Sequence, residues 1–186
     1  MAISIVTTVG SATANSYVSL AEAQQVIDGF TESEDVVAWG TSTTDQKNRA
    51  LFSSTQRIDR EHFLGAKTNK VQNLQWPRSG VRVPDQYNHL YSLSFPYRIV
   101  DDYYTDTEIP DLVKNAQIHL AVYLNNNKNG LGLSGLEDFK SISLGEINIT
   151  PNFYGRVGID RIPPIVDHYL NGIRMGGTAN LPIRRS

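Results

Sequence analysis

The chain contains no cysteine, which excludes disulfide bonds and thiolate metal sites. It also has no run of about 18 apolar residues, the length that a membrane-spanning helix needs. The first ten residues place no basic residue ahead of their short apolar run, which argues against a signal peptide. We therefore expect no membrane association, although the missing cysteines by themselves are compatible with more than one compartment.

Catalytic and metal-binding patterns are missing too. The four histidines, at positions 62, 89, 119 and 168, include no pair at the four-residue spacing of a helical metal site. The glycines of residues 129–135 are followed by no Lys-Ser/Thr and no helix start, so they form no phosphate loop. Ser79 lies in no nucleophile motif, and Asp101-Asp102 is more typical of solvated carboxylates than of a cation site. The sequence predicts no enzyme, no cofactor, no metal site and no catalytic residue.

Neither sign of charge dominates, with 17 Lys and Arg against 19 Asp and Glu and a net charge of −2. This balance argues against a protein whose main task is holding nucleic acid, because that grip comes from neutralised phosphates. The length of 186 residues fits one domain, residues 1–186.

The longest uninterrupted helical period covers Ile109–Asn126. Its apolar residues recur at steps of three and four and draw one stripe along a helix: Leu112, Val113, Ala116, Leu120, Tyr123 and Leu124. Pro110 suits the first turn, and the asparagines from position 125 onward suit a helix end. This segment is predicted to be a central helix on which the other helices pack.

Four further segments carry helix signals. Capping boxes at Ser19…Glu22 and Thr43…Gln46 predict helices that run to about Asp28 and about Phe63. Residues 33–39 favour one short helical turn. Pro163-Pro164 predicts a last helix that ends at Gly176-Gly177, followed by a mobile tail, residues 176–186.

Strand signals are fewer. Ile3, Ile5 and Val6 indicate a short strand or an ordered arm. Residues 139–149 alternate in polarity and slip register at Gly145-Glu146, which indicates a β-hairpin or a bulged strand. The predicted fold class is mainly α, a small helical bundle around the central helix, about 109–126, with this hairpin and a C-terminal helix and tail.

Residues 84–108 form a Tyr-rich loop insertion. Its aromatic residues, with Arg82 and Arg98 interleaved, have the ingredients of a stacking platform for single-stranded nucleic acid: Tyr91, Phe95, Tyr97 and Tyr103. Five carboxylates in the same loop oppose a polyanion there: Asp85, Asp101, Asp102, Asp106 and Glu108. A Tyr-rich surface with few cations is equally typical of a protein–protein interface, which we favour.

Three motifs follow one another along the chain: Asn15-Ser-Tyr-Val-Ser19 with Ala21-Glu22-Ala23, Leu74-Gln-Trp-Pro-Arg-Ser-Gly80, and Ile109-Pro-x-x-Val-Lys-x-Ala116. As an ordered set they resemble those of the tailed-phage head–tail adaptors, also called head completion or neck connector proteins. Many relatives carry a single-stranded-DNA-binding, primosomal-type label instead. The loop at 84–108 and the glycine-rich connection are longer than in that family, so contacts made by loops are not transferred.

The resemblance implies a structural virion protein, made in the host cytoplasm and located at the neck between head and tail. It implies a ring of copies, dodecameric in the particle, that binds the portal protein and tail or neck proteins while DNA passes without specific binding. The alternative is a single-stranded-DNA-binding replication accessory protein. Candidate interface residues are Tyr91, Phe95, Tyr97, Tyr103, Ile142, Leu144, Ile147, Ile149, Tyr169, Ile173, Leu181, Ile183, Arg184 and Arg185.

Overall fold

In a computed structural model, the described residues are 3–84, 103–127 and 162–175, with the backbone of residues 142–144 and 147–149. This part of the chain is mainly helical, as predicted. Its helices are α1 (Leu20–Ile27), α2 (Glu34–Thr41), α3 (Thr44–Ile58), α4 (Asp111–Asn126) and α5 (Pro164–Leu170). Its strands are β1 (Ala66–Lys67), β2 (Arg78–Ser79), β3 (Ile142–Leu144) and β4 (Ile147–Ile149). Among these helices, none has the length and hydropathy to cross a membrane.

The first helices begin where their caps predict. The Ser19 N–H donates to the Glu22 carboxylate at 2.7 Å, and the Glu22 N–H donates to the Ser19 hydroxyl at 3.2 Å, which completes a capping box. Hydrogen bonds from the Ser19 N–H and from the Ser19 side chain to the Glu22 carboxylate lower the pKa of Glu22. Thr43 and Gln46 form the second box at the start of α3, so both predicted helix starts are confirmed.

Helix α4 is the central element and packs against α2, α3 and α5. The predicted single stripe is too narrow, because Val113 and Leu120 enter one core cluster whereas Ile118 and Val122 enter a second. Gln117, between the two clusters, is fully buried. The helix therefore contacts its neighbours around most of its circumference.

Helix α3 is shorter than predicted and ends at Ile58 rather than near Phe63. The carboxylate of Asp59, the C-cap residue, accepts hydrogen bonds from the Tyr17 hydroxyl and from the Gln75 N–H. Phe63 then forms a β-bridge with Arg174. These partners are distant in sequence, so the helical pattern did not indicate them.

Helix α5 also ends early, at Leu170 instead of Gly176. Gly172 has φ +90°, a left-handed conformation that suits glycine and breaks the helix. The Arg174 guanidinium then pairs with Glu61 at 3.1 Å and with Asp167. Tertiary pairing with the segment after α3 therefore ends this helix.

The Trp-Pro-Arg-Ser-Gly motif has a structural role. The buried Arg78 guanidinium donates to the carbonyl oxygens of Leu64 and Gly65 at 2.7 Å and of Phe63 at 3.2 Å. Burial lowers the pKa of Arg78. The turn that this side chain holds needs glycine at position 65, because φ is +68° and a Cβ there would lie 2.2 Å from the Ser79 carbonyl oxygen.

The segment predicted as a hairpin or bulged strand is an antiparallel pair, with Ile142 opposite Ile149 and Leu144 opposite Ile147. At the other end of the chain, residues 3–6 form no strand but are an ordered arm. The Asn15 side chain accepts from the Val6 N–H at 2.8 Å and donates to the Ser4 carbonyl at 2.9 Å.

Candidate nucleic-acid interface

Charge is distributed unevenly along the first part of the chain. Residues 1–46 contain no lysine or arginine but six carboxylates: Glu22, Asp28, Glu32, Glu34, Asp35 and Asp45. The next 14 residues contain four cations: Lys47, Arg49, Arg57 and Arg60. All four lie in α3 or in the turn that follows it, so α3 carries most of the cations found in the described helices.

The outer face of α3 carries a set of polar and cationic side chains that we call the α3 ridge: Arg49, Phe52, Ser53, Gln56, Arg57 and Arg60. Steps of three and four place these residues on one side of the helix, while Leu51, Thr55 and Ile58 are buried on the other. Arg49, Ser53, Gln56 and Arg60 are exposed, and Phe52 and Arg57 are half-buried. The amphipathic pattern of α3 therefore presents the cations to solvent.

A groove of about 490 Å³ runs along one flank of the ridge, between α3 and the end of α4. Arg49, Ser53 and Arg57 line it from α3, and Asn125 and Asn127 line it from α4. A second groove of about 400 Å³ on the other flank includes Phe52 and Arg60. Guanidinium, amide and hydroxyl groups are the donors that contact nucleic-acid phosphates.

Arg57 has donor capacity that the protein does not use. Its Nη1 is buried and has no hydrogen-bond partner among the described residues. Leaving a buried charged donor unsatisfied costs free energy, so an anion that reached Nη1 from the groove would relieve that cost. Arg49 Nη2 pairs with Asp45 Oδ2 at 2.7 Å, but both side chains are more than a third exposed and such a pair is weak.

Asp59, which precedes Arg60 at the C-terminal end of the ridge, uses its carboxylate in a hydrogen bond inside the fold. Asp59 accepts the Tyr17 hydroxyl inside the fold, and burial raises the pKa of its carboxyl group. Burial, followed by the charge of Asp59, raises the pKa of Tyr17 well above its ordinary range. Asp59 therefore bonds Tyr17 inside the fold, and it also lines the groove that includes Phe52 and Arg60.

Two buried amides hold the ridge in place. The Gln117 Nε2 donates to the Leu51 carbonyl at 3.2 Å and to the Ser16 hydroxyl at 2.7 Å, while its Oε1 accepts from the Tyr17 N–H at 3.0 Å. The Asn125 amide donates to the Ser42 hydroxyl at 2.8 Å, which ties the end of α4 to the residue before the α3 cap. The groove walls are thus fixed relative to each other.

A family model described as "Putative DnaT-like ssDNA binding protein" matches residues 1–186 of the chain. The chain belongs to this DnaT-like family. No curated protein and no solved structure matches it. The match agrees with the single-stranded-DNA-binding label that the motif resemblance carried, and none of the comparisons identifies a head–tail adaptor.

None of the interface residues predicted for this DnaT-like chain belongs to the α3 ridge. Tyr103 is 50% exposed and its backbone bridges Arg82, whereas Tyr169 is partly buried and stacks on His119. Ile173 is fully buried, so its side chain has no surface to offer a neighbour. For four predicted residues the structure describes only strand backbone: Ile142, Leu144, Ile147 and Ile149. Seven lie outside the described residues: Tyr91, Phe95, Tyr97, Leu181, Ile183, Arg184 and Arg185.

The sequence-based predictions did not include the ridge. The signal was available, since four cations at helical spacing follow 46 residues without any. The net charge of the whole chain hides this pattern, because the acidic N-terminal segment offsets the cations of α3. Among the described residues, no cluster of histidine and carboxylate side chains is arranged to hold a metal ion.

Proposed function

We propose that this DnaT-like chain binds single-stranded DNA along the α3 ridge. The observation that carries the proposal is the unsatisfied Nη1 of Arg57, a residue that lines a groove together with Arg49. The family description supports the same ligand class. No base-specific contact is required, because phosphates provide the main attraction.

The dimensions of the ridge suit a phosphate backbone. Arg49 and Arg57 are eight residues apart, which is about 12 Å along a helix. Ser53 lies between them and offers a neutral donor. Half-buried Phe52 lines the groove on the other flank together with Arg60. Stacking of a base on an aromatic ring contributes about 1–3 kcal/mol.

The test compares two double variants that each remove two positive charges. Arg49→Ala/Arg57→Ala alters the ridge, and the matched control, Lys70→Ala/Lys114→Ala, alters lysines outside it. Binding of a fluorescent oligothymidine is followed by anisotropy at several salt concentrations. We expect the ridge variant to bind about tenfold more weakly, with a salt slope reduced by about 1.4, because each phosphate contact on a single strand contributes about 0.7.

The control should stay within about twofold of the wild type, as expected for cations that contact no phosphate. Equal losses in both variants would indicate only a response to net charge, and an unchanged ridge variant would contradict the proposal. Circular dichroism of each variant checks that the helices remain folded.

A second candidate function is the head–tail adaptor, with portal and neck proteins as partners, a dodecameric ring and a location in the virion. One observation favours it. A closed ring needs two different complementary patches on each subunit, and the chain has a cation-free N-terminal segment and a basic α3. In that case the ridge would bind a neighbouring copy instead of DNA.

Sedimentation and electron microscopy of the purified protein distinguish the two candidates. The adaptor predicts rings once portal protein is added, their loss in Arg49→Glu/Arg57→Glu, and no affinity for oligothymidine in any variant. Single-stranded-DNA binding predicts that oligothymidine is bound without ring formation.

A further inference from the structure

A third groove, which we call the aromatic groove, lies between α2, α4 and α5 and has a volume of about 470 Å³. Its apolar lining includes Phe30, Val36, His119, Tyr123, Ile165 and Tyr169. The volume is in the range of small-molecule and side-chain pockets. Ile165 is 47% exposed, so an apolar side chain of α5 is left partly without a partner here.

The floor of the groove is a stack of three rings. Phe30 and His119 have centroids 4.4 Å apart and an interplanar angle of 16°, and His119 and Tyr169 are 5.2 Å apart at 25°. Burial lowers the pKa of His119, so its ring is neutral at neutral pH. The floor is therefore rigid, aromatic and uncharged.

The only charge among the described lining residues is negative. The Asp35 carboxylate accepts from the Asn126 amide at 2.7 Å, a neutral donor that leaves the negative charge in place. Glu32 and Glu34, next to it in sequence, are exposed. An apolar groove with an acidic border favours a peptide that combines apolar and cationic side chains.

The chain contains such a segment beyond the last described residue. Leu181 and Ile183 alternate with other residues, so both face one side when the backbone is extended. Arg184 and Arg185 follow directly. We propose that Leu181–Arg185 docks in the aromatic groove of its own chain, with the two apolar side chains over the ring stack and the arginines toward Asp35.

The connection is long enough. Residues 176–180, which begin with two glycines, span up to about 17 Å when extended. Helix α5 begins at the groove and has seven residues, so its far end lies about 10 Å along the helix from the groove. The extended link is longer than this distance. A short flexible link gives a millimolar effective concentration, which favours the chain's own segment over a second copy at micromolar protein.

Photo-cross-linking in the full chain tests the assignment. Ile183→benzoylphenylalanine is irradiated, and the linked peptides are identified by mass spectrometry in an equal mixture of ¹⁴N- and ¹⁵N-labelled chains. We expect links from position 183 to the peptides that contain Val36, Ile165 or Tyr169, and we expect both linked peptides to carry the same isotope.

A second substitution in the cross-linking chain provides the control. Ile165→Asp should lower the yield of groove links about tenfold, since burial of one aliphatic side chain contributes on the order of 1.5 kcal/mol or more. Val71→Asp makes the same change at a position that is 65% exposed and outside the groove, and it should leave the yield unchanged. Links that carry mixed isotopes would show a second copy as the occupant, and links elsewhere would exclude the groove; either result overturns the proposal.

Discussion

Helix α4 lines two surface grooves: Asn125 and Asn127 close the groove beside Arg57, and His119 and Tyr123 line the aromatic groove. The α3 ridge contributes two guanidinium groups and the Ser53 hydroxyl to the first groove. The Nη1 atom of Arg57 has no hydrogen-bond partner among the described residues. Helices α2 and α5 contribute aromatic and aliphatic side chains and one carboxylate to the second.

The chemistry of each groove therefore comes from the helices opposite α4 rather than from α4 itself. The same central helix supports a cationic surface on one neighbour and an apolar, acidic one on others. This arrangement is possible because α4 is buried in two separate core clusters, so its neighbours are held independently of what they expose.

The largest expected effect comes from removing the support under the basic side. Gln117→Ala would leave the buried Tyr17 N–H without its acceptor and would open a cavity. It would also remove one hydrogen bond each from the Ser16 hydroxyl and the Leu51 carbonyl, which keep other partners. We expect the free energy of unfolding to fall by about 3 kcal/mol, measured by urea denaturation. Because α4 packs against α2, α3 and α5, oligothymidine affinity and the intramolecular cross-link should decline together.

Gln56→Ala is the matched control, since Gln56 is exposed on α3 and its loss should change stability by less than about 0.5 kcal/mol. If Gln117→Ala weakened only one groove, the two surfaces would not share a support.

A smaller effect, with opposite signs for stability and binding, is expected at the ridge. Arg57→Met keeps the side-chain length and removes a guanidinium whose Nη1 is unsatisfied. We expect the free energy of unfolding to stay level or to rise by up to about 1 kcal/mol, so the melting temperature does not fall. Oligothymidine affinity should fall. Thermal denaturation and anisotropy on the same sample provide the two measurements; a clear loss of stability would mean that Arg57 has a structural role.

The smallest expected effect is a difference between the two regions in how their contributions to stability depend on pH. Burial holds the pKa of His119 below its ordinary value of 6.5, so the unfolded chain binds this proton more tightly than the folded chain does. Its contribution to stability is present above that value and is lost as the pH falls below it. Beside the ridge the pH dependence of stability has the opposite sign. Burial raises the pKa of Asp59, so protonation at low pH removes the free-energy cost of burying its charge.

Urea denaturation between pH 7 and pH 5 checks the histidine contribution. His119→Gln should flatten the decline of stability in that window, whereas His62→Gln, at an exposed histidine, should not. The same slope in both variants would show that the decline has another origin.

Several features of the fold could be predicted because their causes are local. The Ser19 and Thr43 capping boxes depend on residues three positions apart, and the pairing of residues 142–149 depends on alternation within a short segment. The ends of α3 and α5 could not be predicted, since Asp59 bonds Tyr17 and Gln75 and Arg174 bonds Glu61. For the candidate site, the sequence showed the cations of α3 but not the groove that Asn125 and Asn127 complete from 70 residues away.

Three features follow from the residues alone: where the helices begin, the existence of one long central helix, and the positive charge that starts after residue 46. Each of these follows from interactions within one or two helical turns. Tertiary contacts were needed to establish where α3 and α5 end, to bring Asn125 and Asn127 beside Arg57, and to form one stack of Phe30, His119 and Tyr169. Those outcomes depend on contacts between residues tens of positions apart, and their free energy is realised only when the core clusters have packed.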